Sequence, residues 1–107
     1  RGDSLAAEID FARVPVLETA LPLAREGVNT GAGWRNWTSW EEAVTLPGGF
    51  AEWQRNLLCD PQTNGGLLLA AQPEEAERIL DLFAEDGHTG AAVIGELAVG
   101  APGIRVT

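Results

Sequence analysis

The residues best placed to do chemistry lie in one run, Asp60-Pro61-Gln62-Thr63-Asn64-Gly65-Gly66-Leu67-Leu68-Leu69. A carboxylate, a carboxamide, a hydroxyl and a second carboxamide follow one another within five positions. Such a set can orient a polar ligand through hydrogen bonds. Pro61 fixes its own φ and pushes Asp60 toward an extended conformation. The paired glycines allow a close approach of another backbone or of a ligand where the chain enters its next element. The same residues also suit a loop whose side chains only satisfy their own backbone. A second candidate is Arg35-Asn36 at the end of the Gly-rich stretch 28–36. A guanidinium there can grip a phosphate with two parallel hydrogen bonds. Equally, it can stack on Trp34 or Trp37 and hold the loop together.

Three other features are weaker. Trp34, Trp37 and Trp40 could stack on bases or sugars, but packing of an irregular segment or an interface accounts for them better in so acidic a chain. Cys59 stands between Leu58 and Asp60, surroundings that raise a thiol's pKa instead of activating it. His88 follows Gly87 with no second His or Cys at ligand spacing, and reads as a surface turn residue.

The elements that must position these residues follow from periodicity. Residues 6–14 alternate into a short strand, stopped by Pro15. Residues 17–26 read as a helix whose regular part begins near Thr19, with Pro22 in its first turn and Gly27 after its end. Residues 28–40 read as a long ordered loop, 40–44 as a short helix and 50–58 as a helix with Phe50, Trp53, Leu57 and Leu58 on its apolar face. After the 59–66 loop comes an apolar strand at 67–71. The clearest helix spans 73–86: Pro73 opens it, Glu74, Glu75 and Glu77 complement its positive end, and Ala76, Ile79, Leu80 and Phe83 form an i, i+3, i+4, i+7 stripe. Residues 91–98 and 104–107 complete the strands, with a turn at 100–103. The order predicts an α+β domain with a mixed sheet and helices packed on it.

Composition narrows the function. With 107 residues, 45% of them apolar, the chain suits one small domain. Sixteen acidic residues against seven basic ones give a net charge of -9, which speaks against nucleic acid and against anionic membrane surfaces. All the basic residues are Arg. Without Lys there is neither a Walker A loop nor a Schiff-base lysine. Cys59 is the one cysteine, so no internal disulfide forms, which fits a reducing cytoplasm. No apolar run approaches the roughly 18 residues of a membrane span. The chain opens on a polar end at Arg1 instead of Met, with no leader pattern, and reads as processed or cut from something longer.

The run from Asp60 to Leu69 resembles the DPQTSGGLL signature of selenophosphate synthetases, with Asn64 where that family usually has Ser. Leu57-Leu58-Cys59 before it, Leu69-Ala70-Ala71 after it, Ala7-Glu8-Ile9-Asp10-Phe11 leading to Val14-Pro15-Val16-Leu17, Thr30-Gly31-Ala32-Gly33-Trp34-Arg35-Asn36 and Ile94-Gly95-Glu96-Leu97 are also similar to that family, in the same order. The resemblance implies a family that makes selenophosphate from selenide, ATP and water, releasing AMP and phosphate. It implies a domain like the carboxy-terminal one of aminoimidazole ribonucleotide synthetase: a mixed, largely antiparallel four-stranded sheet with packed helices, over residues 1–107. It implies that ATP and Mg2+ are held mainly by an amino-terminal ATP-binding domain that this chain lacks, together with the reactive Cys or selenocysteine, a Lys and the metal-binding aspartates. No catalytic residue and no metal ligand is therefore assigned here. The expected partners are that amino-terminal domain and a second copy in a homodimer, in the cytoplasm, with no nucleic acid and no membrane. Asp60, Gln62, Thr63, Asn64, Gly65 and Gly66, with Thr30, Arg35 and Asn36, are expected to face the substrate and phosphate pocket. An exposed apolar sheet face or edge is expected as well. The alternatives are a stand-alone interaction or regulatory module without catalysis, and a relative acting on a different phosphate acceptor, which Asn64 keeps open.

Overall fold

The structure, a computed structural model, describes residues 4–107; the polar opening at Arg1, Gly2 and Asp3 lies outside the described residues. Strand β1 (Leu5–Ile9) is followed by helices α1 (Ala20–Arg25) and α2 (Gly31–Trp40), the short strand β2 (Val44–Thr45), helices α3 (Glu52–Leu58) and α4 (Ala76–Glu85), and strands β3 (Gly95–Val99) and β4 (Gly103–Val106). The strands form one sheet in the order β2-β4-β1-β3.

The α+β class and the four strands are as expected, but the sheet is mixed and not largely antiparallel. Only β1 and β3 run antiparallel, whereas β1–β4 and β2–β4 are parallel. The reason lies in residues 100–102. They would close β3 and β4 into an antiparallel hairpin if those strands were neighbours. Instead β1 lies between them, and the connection crosses the start of β1, with the Gly100 amide donating to the Ser4 carbonyl at 2.8 Å. Gly95 is what lets β3 sit so close to β1, because a Cβ there would collide with the Glu8 carbonyl.

Residues 28–40 do not form a loop. From Gly31 they form α2, started by Thr30, whose hydroxyl accepts from the Gly33 amide at 3.3 Å, while the Asn29 carboxamide oxygen accepts from the Thr30 amide at 2.8 Å. Two capping contacts outweigh the poor helix propensity of Gly31, Gly33 and Asn36. Residues 67–71 are not a strand: no backbone hydrogen bond joins them to another described residue, and Leu67 and Leu68 are 81% and 78% exposed. The fourth strand is Val44–Thr45, where a short helix was expected; a helical turn at 41–43 precedes it. β2 pairs with the outer side of β4, the one place where the sheet gains a strand from the middle of the chain. β1 ends at Ile9, earlier than 14, because the Asp10 carboxylate accepts from the Ala12 amide at 3.0 Å and turns the backbone.

The remaining elements fall near their predicted places. Gly87, at φ 86°, closes α4 in the left-handed region. α1 packs against α3, with Ala24 buried and Arg25 lying 5.2 Å from the Trp53 ring.

The register puts Leu5, Ala7 and Ile9 on one face with Val99, Leu97, Ile104 and Val106, and puts Glu8, Glu96 and Arg105 on the other. The apolar face is covered only in part. Val106 is 3% exposed beneath the helices, but Val99, at the far corner, is 90% exposed. That open apolar area matches the exposed face expected from the sequence.

Candidate functional site

α2 and α3 lie together over the end of the sheet, and the two candidate segments meet where they touch. Thr30 caps the start of α2. Asn36, on the second turn, points its carboxamide at the residue that closes α3 and donates to the Cys59 carbonyl at 2.9 Å. The next residue is Asp60, where the 60–66 loop begins. The bond joins positions 23 apart in sequence.

Beneath this junction is a cavity of about 350 Å³ between the helices and the sheet. Its walls are apolar, from Ile9, Val44, Leu58, Ile104 and Val106 among others, with Trp37 and Trp40 from α2. Its polar lining is Asn36, Arg55, Cys59 and Asp60. It is a half-open cleft, and an apolar cleft with a few convergent polar groups can take a small molecule.

Of the residues singled out from the sequence, the cavity gathers Asn36 and Asp60. Thr30, Arg35, Gln62, Thr63, Asn64, Gly65 and Gly66 do not line it. The 60–66 loop is exposed throughout. Within it the Asp60 carboxylate accepts from the Gln62 carboxamide at 3.3 Å, and Gln62 leans over Gly65 so closely that a Cβ there would stand 2.8 Å from its oxygen. Thr63 and Asn64 form the turn at the tip, and among the described residues their side chains make no hydrogen bond. Arg35 is exposed, and its carbonyl accepts from the Thr38 and Ser39 hydroxyls at 3.1 and 2.8 Å. It does not stack on the tryptophans.

The arginine that does so is Arg55, which the sequence reading passed over. Its guanidinium lies 5.3 Å from the Trp37 ring and 5.8 Å from the Trp34 ring, with an ion pair to Glu52 at 3.2 Å. One signal was available. Arg55 precedes Cys59 by four residues, so in any helix ending at Cys59 the two share a face.

Burial pushes the Cys59 thiol above its ordinary value, with Arg55 pulling partly the other way. The thiol therefore stays protonated at neutral pH and is a poor nucleophile. His88 lies 3.6 Å from Asp86 and edge-on to Phe83. Among the described residues no group of three or more His, Cys, Asp or Glu side chains is gathered to hold a metal ion. No helix among the described residues is long and apolar enough to cross a membrane.

The chain is similar to known proteins along nearly its whole length. Selenide, water dikinase of Pseudomonas straminea is 43% identical over 106 residues, that of Dechloromonas aromatica (strain RCB) 42% over 106, and that of Rhizobium meliloti (strain 1021) 41% over 106. Each match covers 99% of this chain but 30% of the relative, so the chain spans about a third of the length of these proteins. The family described as AIR synthase related protein, C-terminal domain, matches residues 2–106. With both segments and the junction between them inside that match, the chain belongs to the AIR synthase related protein C-terminal domain family.

Proposed function

We propose that this chain is the carboxy-terminal domain, residues 1–107, of a selenide, water dikinase that makes selenophosphate from selenide, ATP and water with release of AMP and phosphate. The observation that carries the proposal is the bond from Asn36 to the Cys59 carbonyl. It fastens together the two segments whose residues resemble the selenophosphate synthetases. Selenide, water dikinases more than 40% identical along nearly the whole chain support the same reading.

In this proposal Asn36 and Asp60 stand at the cavity wall, and Thr63, Asn64 and Arg35 present unbonded side chains toward a pocket completed by an amino-terminal ATP-binding domain. Their role is to orient phosphate and water, not to attack. ATP and magnesium are held mainly by that other domain; the ion neutralises the charge on the transferring phosphate. The assembly works as a cytoplasmic homodimer. In this reading the chain alone is not catalytic, and the reactive Cys or selenocysteine, the Lys and the metal-binding aspartates belong to the other domain.

Phosphorus NMR under anaerobic conditions, with magnesium, ATP and selenide, tests the proposal. This chain alone should give no selenophosphate, and a chain of the relatives' full length that carries it should give selenophosphate and AMP. In that longer protein Thr63→Ala and Arg35→Ala should each lower turnover. Wild-type kinetics in both would remove these two residues from the site. Selenophosphate from this chain alone would overturn the division of labour.

A further inference from the structure

We infer that Arg55 is a positioning residue of the proposed site, holding α2 against α3 so that Asn36 and the start of the 60–66 loop keep their mutual place. The inference rests on the dikinase reading and adds to it a residue that neither the sequence signature nor the exposed loop points to.

Arg55 and Cys59 lie one helical turn apart on the face of α3 that meets α2. Each carries one fastening. At Cys59 it is a hydrogen bond from Asn36; at Arg55 it is the guanidinium plane against two indoles, Trp34 and Trp37, themselves three residues apart on one face of α2. Both fastenings run from α2 to α3, so a shift of α2 that lifts the two rings off Arg55 also disturbs the bond from Asn36 to the Cys59 carbonyl.

The setting of Arg55 favours this role over that of a surface charge. Its side chain is 20% exposed, and its Nε is buried without a hydrogen-bond partner among the described residues. That nitrogen is enclosed by the packing of α2 on α3, while the side chain as a whole also forms part of the cavity lining. Its ion-pair partner Glu52 is 77% exposed, so solvent screens that attraction. The lasting neighbours of the guanidinium are therefore the two rings. A planar, delocalised and weakly hydrated cation suits such a place, and a lysine ammonium does not. Arg55 thus acts through what it holds: Asn36 by way of the α2 tryptophans, and Asp60 by way of the helix end at Cys59.

The test uses the full-length dikinase carrying this domain, with Arg55→Lys, Arg55→Met, Asn36→Ala and the double variant of Arg55→Lys with Asn36→Ala. Selenophosphate formation gives kcat, and near-ultraviolet circular dichroism reports the packing of the tryptophans. A misplacement of about 1 Å in a catalytic arrangement costs on the order of 100-fold. Arg55→Lys should therefore lower kcat by about 10- to 100-fold and change the tryptophan signal while the protein stays folded. The double variant should be no worse than the poorer single one, because both changes release the same junction. Additive losses would mean that Arg55 does not act through Asn36, and would overturn the inference. Wild-type kcat in Arg55→Lys beside an impaired Asn36→Ala would also overturn it while leaving the site in place. Wild-type kcat in Asn36→Ala and Thr63→Ala would remove the site itself. Should Arg55→Met fail to fold, Arg55→Lys, which keeps the charge and the aliphatic stem, decides alone.

Discussion

Replacing Leu68 by Ala separates two pictures of residues 67–71. As a strand buried in the sheet, the picture that its continuous apolar run favours, this run would lose about 2–5 kcal/mol for one Leu→Ala change, through lost transfer energy and the cavity left behind. In the structure Leu68 is 78% exposed, so about a fifth of its surface is out of water. Full burial of a leucine side chain stabilises by about 2–3 kcal/mol, and the fraction at stake here is therefore about 0.5 kcal/mol. The assay is urea unfolding of this chain followed by tryptophan fluorescence, with Val106→Ala as the control. Val106 is 3% exposed, and losing two of its carbons should cost about 2 kcal/mol. The expected result is a clear fall in midpoint for Val106→Ala and almost none for Leu68→Ala, with equal slopes against denaturant. A loss of 2 kcal/mol or more in Leu68→Ala at unchanged slope would refute the exposed conformation and return the run to the sheet.

Other consequences are open to direct measurement. Thr30→Ala removes the hydroxyl that caps α2 and should cost about 1 kcal/mol, whereas Thr30→Ser should cost little; urea unfolding of both variants checks this. For Cys59 the folded pKa lies above the ordinary thiol value of 9.0. Its contribution to stability is therefore whole below that value and is lost as pH rises through the folded pKa. Melting curves between pH 7 and 11 should show a decline on the alkaline side that is smaller in Cys59→Ala, and equal declines would remove the effect. In the unsubstituted chain the open apolar face of Leu97 and Val99 should bind a hydrophobic dye, and Val99→Thr with Leu97→Thr should reduce that binding; unchanged dye fluorescence would show that the face is covered in solution.

Legibility differed between elements for physical reasons. α4 was readable because its signals agree: Pro73 at the start, glutamates in the first turn, a four-residue apolar stripe and Gly87 at the end. The helix α2 was not, because its local signals conflict. Glycines, Asn36, Thr38 and Ser39 suggest a loop, while the three-residue spacing of Trp34, Trp37 and Trp40 suggests a helix. Caps at Asn29 and Thr30 and contact with α3 settle the conflict, and that contact is not local. The run at 67–71 erred the other way: its residues suit a strand, but strand formation needs a partner edge. Among the described residues the outer side of β4 is already taken by Val44–Thr45. Sheet direction was hidden for a similar reason, since a three-residue connection says nothing about whether a third strand lies between its ends.

The same distinction governs the site. Sequence marked both segments, 30–36 and 60–66, because their residue types can bind polar ligands and their order resembles a family. It could not mark the point at which they join. That point consists of one side chain reaching a backbone carbonyl 23 positions away, and of a cation on α3 resting on rings of α2. A backbone carbonyl carries no residue identity, so no motif records it as an acceptor. A cation–π contact leaves only an Arg in one place and a Trp in another, and Arg35, next to Trp34 in sequence, was the nearer choice. In a helix, however, adjacent side chains diverge by roughly 100°, and Arg35 is carried away from the rings that Arg55 approaches from outside. Once α2 is a helix, Arg35 no longer faces its neighbouring tryptophans, whereas the contact of Arg55 with them is made between two helices. The loop reading of α2 accounts for the choice of Arg35, and the contact between separate helices accounts for the oversight of Arg55.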